Sequence, residues 1–210
     1  MTVAAFPPVT PDYFRRDARH LARALIGSYL VRDVGGKPRV VRVVETEAYR
    51  GPNDGASHSR VGLTKRTRTL LGPPGFAYVF LIYGMYDCFN VVCLGEGKGH
   101  AVLVRAGEPV SGIAKGERCD GPGKLARALA ITRADDGHDL TKAPLYLSAS
   151  RGKVDVGTSA RVGVAYAGAI AEKPWRFFDR ASTHVSRPSA KSIGLGGSGP
   201  AGPTGPTSGE

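Results

Sequence analysis

Arg39-Val-Val-Arg-Val-Val-Glu-Thr-Glu-Ala-Tyr-Arg50 is the stretch on which the fold reading turns. Val40 to Val44 is β-branched and nearly continuous, the pattern of a strand covered on both faces. It predicts a strand over 39–45. Leu30 to Val34 precedes it across Gly35-Gly36, so the two runs read as strand, turn, strand. Glu45 and Glu47 follow at i and i+2, and in extended backbone such residues point the same way. An acid at the end of a buried strand is held by the scaffold, and partial burial tunes its proton affinity, as general acid–base chemistry requires. The competing reading is a pair of surface acids beside a turn.

Outward from this stretch the elements alternate in kind. Phe14, Ala18, Leu21, Ala22 and Leu25 recur at helical spacing, predicting a helix over 12–27 with Gly27 as its stop. Ala77–Ile82 and Tyr86–Leu94 form a second hairpin about Tyr83-Gly84-Met85. Ala101–Arg105 is another short strand. Gly121-Pro122-Gly123 opens a helix from Lys124 to about Ile131. Leu145–Leu147 and Ala160–Tyr166 read as late strands. Short helices with hairpin-joined strands predict an α+β domain rather than a doubly wound parallel sheet.

At 210 residues the chain suits one domain. The segment 188–210 carries 7 Gly and 4 Pro with one Lys and one Glu, so the whole +11 net charge lies in 1–187. The expected division is a folded domain over 1–187 and a disordered tail over 188–210. Gly194, Gly196 and Gly199 spell G-x-G-x-x-G inside that tail. The pattern cradles a pyrophosphate only between a strand and a helix, and neither is predicted there.

Twenty-nine Lys and Arg against 18 Asp and Glu point to a polyanionic partner, nucleic acid before an anionic membrane. No run of about 18 apolar residues exists to span a bilayer, and the first residues do not read as a secretory signal. Cys88, Cys93 and Cys119 lack C-x-x-C spacing and read as reduced, buried thiols. The expectation is a cytoplasmic protein without structural zinc. H-E-x-x-H, G-x-S-x-G and the phosphate-loop signature are all missing from the sequence.

Several residues invite a function. Arg60, Lys65, Arg66 and Arg68 form a basic loop with no acid between Ser59 and Gly75, suited to phosphate contact. Lys124 and the free N–H groups of its helix start suggest a further phosphate seat. Tyr83 at a hairpin tip is the type of side chain that wedges between base pairs. Asn90, one of two asparagines, is a poor strand former and costly to bury without partners, so it points to a polar pocket or to a cross-strand hydrogen bond. Arg105 ends an apolar run and needs an anion, for which Glu45, Glu47 or Glu108 could serve. His58 stands alone in its loop.

Taken together, Val44–Pro52, Ala56–Ser59, Tyr78–Tyr86 with Asn90, Val104–Pro109, Gly121–Leu125, Arg161–Val164 and Lys173–Phe177 resemble the alkyladenine (3-methyladenine) DNA glycosylases of the mammalian type. The motifs fall in family order over residues 14–185. The resemblance implies a single domain with a curved antiparallel sheet, surrounding helices and a protruding β-hairpin. It implies hydrolysis of the N-glycosidic bond of alkylated or deaminated purines flipped from duplex DNA. The sequence has no coiled-coil heptads and no evident exposed apolar stripe, so a monomer is expected, and no cofactor or metal is expected. By position, Glu47 would be the general base and Arg105 would hold the water and the carboxylate. Tyr83 would intercalate. Tyr49, His58 and Phe80 would line the base pocket, and Asn90 would reject guanine. Vertebrate members carry Tyr where this chain has Phe80, which keeps the stacking face and loses the hydroxyl. No lysine occupies a nucleophile position, so strand cleavage by the protein itself is not expected. The alternative is a catalytically inactive damage-recognition or RNA-binding protein of the same fold; Glu47 and Arg105, which a pure binder does not need, favour the enzyme.

Overall fold

The structure, a computed structural model, describes residues 5–82 and 84–186. The expected tail over 188–210, with its glycine triplet, and Tyr83 lie outside the described residues. Eight strands form one antiparallel sheet: β1 (Tyr29–Val34), β2 (Lys37–Arg50), β3 (Ala77–Ile82), β4 (Tyr86–Cys93), β5 (His100–Ser111), β6 (Leu145–Ser148), β7 (Val156–Ser159) and β8 (Arg176–Asp179). Two helices accompany them, α1 (Ala18–Leu25) and α2 (Pro122–Ala128). The α+β expectation holds, and the sheet is curled.

β2 is the hub. One edge pairs with β5 along nearly its whole length. The other is shared, first with β1 through Lys37–Arg42 and then with β8 through Glu45–Glu47. The main sheet runs β3-β4-β5-β2-β1-β6, and β7 joins β8. One face of this sheet packs Val41, Val43, Val102 and Val104 against Leu21 and Leu25 of α1 and Leu125 of α2. The β3–β4 hairpin projects beyond this body, with Met85 67% exposed at its tip.

Three expectations are corrected. The first helix starts at Ala18, not near Asp12. Asp17 caps it by accepting the Arg19 N–H, and Pro11–Phe14 forms a separate 3₁₀ turn. Gly27 still ends the element, at φ +85°, where a Cβ would meet Val154 at 2.6 Å. α2 stops at Ala128: Ala130 takes φ +50° and the Ile131 N–H turns back to the Ala126 carbonyl. The segment 160–166 forms no strand. Its neighbours β7 and β8 complete the sheet, while Val164 packs on Ala56 and Ala171 and Arg161 turns inward.

Arg161 fixes the loop after β2. Its guanidinium grips Asp54 through two hydrogen bonds of 2.6 and 2.9 Å, with both side chains fully buried, and also donates to the Ala48 carbonyl. Asp54 additionally accepts the Arg50 and Ala56 N–H groups. Removing one partner of such a pair strands a charge in the interior. Asp54→Ala is therefore expected to cost about 3–5 kcal/mol, read by urea unfolding. A loss under about 1 kcal/mol would mean that the pair carries little of the fold.

Candidate active site

Two register shifts build the site. From Val43 opposite Gly107 to Glu45 opposite Ala106, β2 advances two residues while β5 advances one. From Glu45 opposite Ala106 to Thr46 opposite Val104, β5 advances two while β2 advances one. Each is a bulge, which adds an unpaired residue and changes which face the following side chains take. Before the first bulge Val41 and Val43 face the α1 core. After it the core-facing residues are Thr46, whose hydroxyl donates to the Ala22 carbonyl, and Ala48. Unshifted alternation would send Glu45 and Glu47 into that apolar core. The bulge at Val44 turns both onto the opposite face, where Arg105, at the second bulge, also projects.

Glu47 is fully buried and satisfied. Oε1 accepts the Val162 N–H at 2.7 Å and lies 3.3 Å from Nη1 of Arg105, and Oε2 accepts the Tyr49 hydroxyl at 3.0 Å. Glu45 holds the other side of Arg105. It accepts from Nε of Arg105 at 2.8 Å, Nε of Arg176 at 2.7 Å, and both the hydroxyl and the N–H of Ser186. Burial opposes the charge on Arg105, but the carboxylates of Glu47 and Glu45 hold its pKa above the usual guanidinium value. Of the three anions considered for Arg105, Glu45 and Glu47 serve; Glu108 pairs with Arg42 instead.

In front of this pair opens a cavity of about 550 Å³. Tyr49, His58, Phe80, Asn90 and Arg105 line it, and Glu47 lies just behind the wall that Tyr49, Arg105 and Val162 form. That volume falls within the range of small-molecule sites. Asn90 donates its two amide hydrogens to the carbonyls of Tyr78, across the strand pair, and Cys88. Asn90 thus makes the cross-strand bond, and it also lines the cavity. His58 stacks edge-on to Phe80 with centroids 4.5 Å apart. Its Nδ1 bonds the Tyr78 hydroxyl at 3.0 Å, and its Nε2 meets Nη2 of Arg66 at 3.3 Å. Guanidinium has no acceptor, so Nε2 accepts and Nδ1 carries the proton. Burial, then the Arg66 charge, lowers the His58 pKa to about 4. Burial, then the Glu47 charge, pushes the Tyr49 phenol well above its usual range. Burial also pushes the Cys88 thiol up to about 11, which keeps it protonated and unreactive.

The basic residues separate. Arg60, Lys65, Arg66 and Arg68 are all exposed on their loop; Arg66 also lines the cavity, and Arg68 lines a second one with Leu63, Phe76 and Glu96. Lys124 stands at the main cavity's edge with Nζ 3.2 Å from Asp120. α2 has only seven residues. Gly123 is needed for packing, since a Cβ there would lie 2.9 Å from the Tyr86 side chain. The N–H of Val162 and the side chains of Arg176 and Ser186 were not foreseen. A backbone donor leaves no residue-type signal, and Arg176, though inside a recognisable motif, is distant in sequence from the group it serves. Among the described residues no cluster of three His, Cys, Asp or Glu could hold a metal, and no helix is long and apolar enough to cross a membrane.

Similarity to known proteins places the chain in a family. The family model for methylpurine-DNA glycosylase matches residues 12–183. A protein of Anaeromyxobacter dehalogenans (strain 2CP-C) is 51% identical over 179 residues, covering 84% of this chain and 86% of its own. One of Myxococcus xanthus is 49% identical over 178 residues, covering 84% and 92%. One of Methanocella arvoryzae is 43% identical over 199 residues, covering 89% and 100%. Each bears the name "Putative 3-methyladenine DNA glycosylase".

The protonation pattern can be measured. His58 is expected to stay neutral down to about pH 5, titrating near pH 4 in a two-dimensional NMR titration of the imidazole. Arg66→Ala should move that midpoint upward. A native midpoint at or above 6.5 would refute the desolvated, Arg-capped imidazole.

Proposed function

Because the chain belongs to the methylpurine-DNA glycosylase family, we propose that it excises alkylated or deaminated purines from duplex DNA by hydrolysing the N-glycosidic bond, with Glu47 as the general base. The observation that carries this reading is the placement of Glu47. A carboxylate held by three donors lies directly behind the wall of a cavity lined by aromatic rings and a polar amide.

The chemistry follows from that placement. A purine extruded from the duplex enters the cavity between Tyr49, His58 and Phe80, and extrusion costs least at a damaged or mismatched pair. The sugar then lies nearest the wall formed by Arg105 and Val162. Water attacks C1′, the C1′–N bond electrons leave with the base, and Glu47 takes the water's proton. Negative charge on Glu47 also stabilises the oxocarbenium character that develops on the sugar. Arg105 orients the carboxylate and the water. Catalytic hydrogen bonds often form only in the substrate complex, and small movements of Tyr49 or Arg105 would bring the buried carboxylate to the water. The products are a free base and an abasic site.

Lys124, a lysine that lines the cavity, has its ammonium bonded to Asp120. This favours a monofunctional enzyme with no lyase step. The exposed Arg60 and Lys65 supply phosphate contacts, and Tyr83 is assigned to the gap left by the flipped nucleotide from its sequence position alone. Residues 1–187 form the catalytic domain, acting as a monomer in the compartment that holds the DNA.

Single-turnover incubation with a duplex carrying one hypoxanthine, followed by alkaline cleavage, tests the assignment. The native protein is expected to produce strand breaks, and Glu47→Gln to slow them by roughly 10²–10⁴. Without alkali, breaks should be missing, and borohydride should trap no protein–DNA adduct. Equal rates from both proteins would remove Glu47 from its role, and a trapped adduct would refute the monofunctional mechanism.

A further inference from the structure

Arg66 differs from its neighbours in the basic loop. All four are exposed, and Arg68 belongs to another cavity, but Arg66 also reaches the wall of the main one. Its Nη2 donates to His58 Nε2 at 3.3 Å, and its Cζ lies 5.2 Å from the centre of the Phe80 ring. The ring that a positively charged base would stack on is therefore already engaged by a cation. With His58 neutral and its Nδ1 proton given to Tyr78, the polar group presented beside Phe80 is a guanidinium with N–H donors to spare. We propose that Arg66 reads the base: it biases the site toward neutral purine lesions that present a hydrogen-bond acceptor, and against bases carrying a fixed positive charge. This rests on the glycosylase reading above.

The physical argument is one of like charges. A methylated, cationic purine beside Phe80 would lie within about 6 Å of the guanidinium, where like charges repel. Arg66 keeps an exposed side, so the repulsion runs from roughly threefold in binding if fully screened to about tenfold or more where the base excludes water. A neutral base such as hypoxanthine suffers no repulsion, and its carbonyl oxygen or ring nitrogen can accept from Arg66. Phe80 strengthens the bias, since it brings a ring face and no hydroxyl. The pKa of His58, lowered to about 4 in part by Arg66, agrees with a guanidinium held close to it.

The experiment compares single-turnover excision of hypoxanthine and of 7-methylguanine, each in the same duplex and above spontaneous depurination. The proteins are native, Arg66→Lys, Arg66→Gln and Arg66→Ala. Binding to undamaged duplex is measured across salt for each. The hypoxanthine to 7-methylguanine rate ratio is expected to fall at least tenfold in the Gln and Ala variants. It should stay within about threefold of native in the Lys variant, with the salt slope unchanged in all. A ratio unchanged in the Gln and Ala variants overturns the proposal. If the salt slope also drops by about one in those variants, Arg66 is a phosphate contact instead. A native protein that breaks neither duplex overturns the glycosylase reading itself, an outcome distinguished by having no rates to compare.

Discussion

Glu45 is the constraint around which the site is built. It is a fully buried carboxylate with four donors from three separate parts of the chain: Arg105 on β5, Arg176 on β8, and the N–H and hydroxyl of Ser186 beyond it. Taking these charges out of water is expensive, and the arrangement persists because nearly every polar atom has found a partner. The guanidinium of Arg105 is bonded on one side to Glu45 and faced on the other by Glu47. Its orientation is thereby fixed, and so is the surface that a substrate would meet.

The sheet supplies the rigidity behind this arrangement. β2 is paired on both edges at the level of Glu45–Glu47, with β5 and with β8. A carboxylate on a doubly paired strand cannot drift as one on a loop would. The two bulges let one strand serve two purposes, closing the α1 core with its first half and presenting acids to a cavity with its second. The extra residue bends the strand locally, in keeping with the curl of the sheet.

The aromatic wall is held differently. His58 and Arg66 come from the segment following β2, anchored by the Arg161–Asp54 pair and by short turns, while Phe80 and Asn90 come from the paired strands β3 and β4. Glu47 and Arg105 thus rest on the most firmly paired part of the sheet, and the aromatic wall rests partly on a loop. A change in the loop can then alter the wall without disturbing Glu47 or Arg105.

Much of this was legible in the residues alone. The β-branched run at Val40–Val44 announced the central strand, the alternating hairpins announced an α+β fold, and the paired acids of Glu45-Thr-Glu47 marked the site because two carboxylates two apart on a strand share a face. Tyr49, His58, Phe80, Asn90 and Arg105 line one cavity, with Glu47 behind its wall. Other features depended on tertiary structure. The acids turn from the apolar core to the cavity side of the sheet only because a bulge at Val44 reverses the alternation, and a bulge is set by cross-strand register, which a single strand's pattern does not encode. The segment 160–166 reads as a strand by its valines, yet it spends its side chains on Asp54 and a small apolar cluster and its Val162 N–H on Glu47. Arg176 and Ser186 lie 131 and 141 residues from the carboxylate they serve. The four cations of the basic loop are equivalent in sequence, and only packing draws Arg66 to the wall of the main cavity. Local pattern determines which segments are strands and which residue types are available; long-range pairing decides which face they present and which partners they meet.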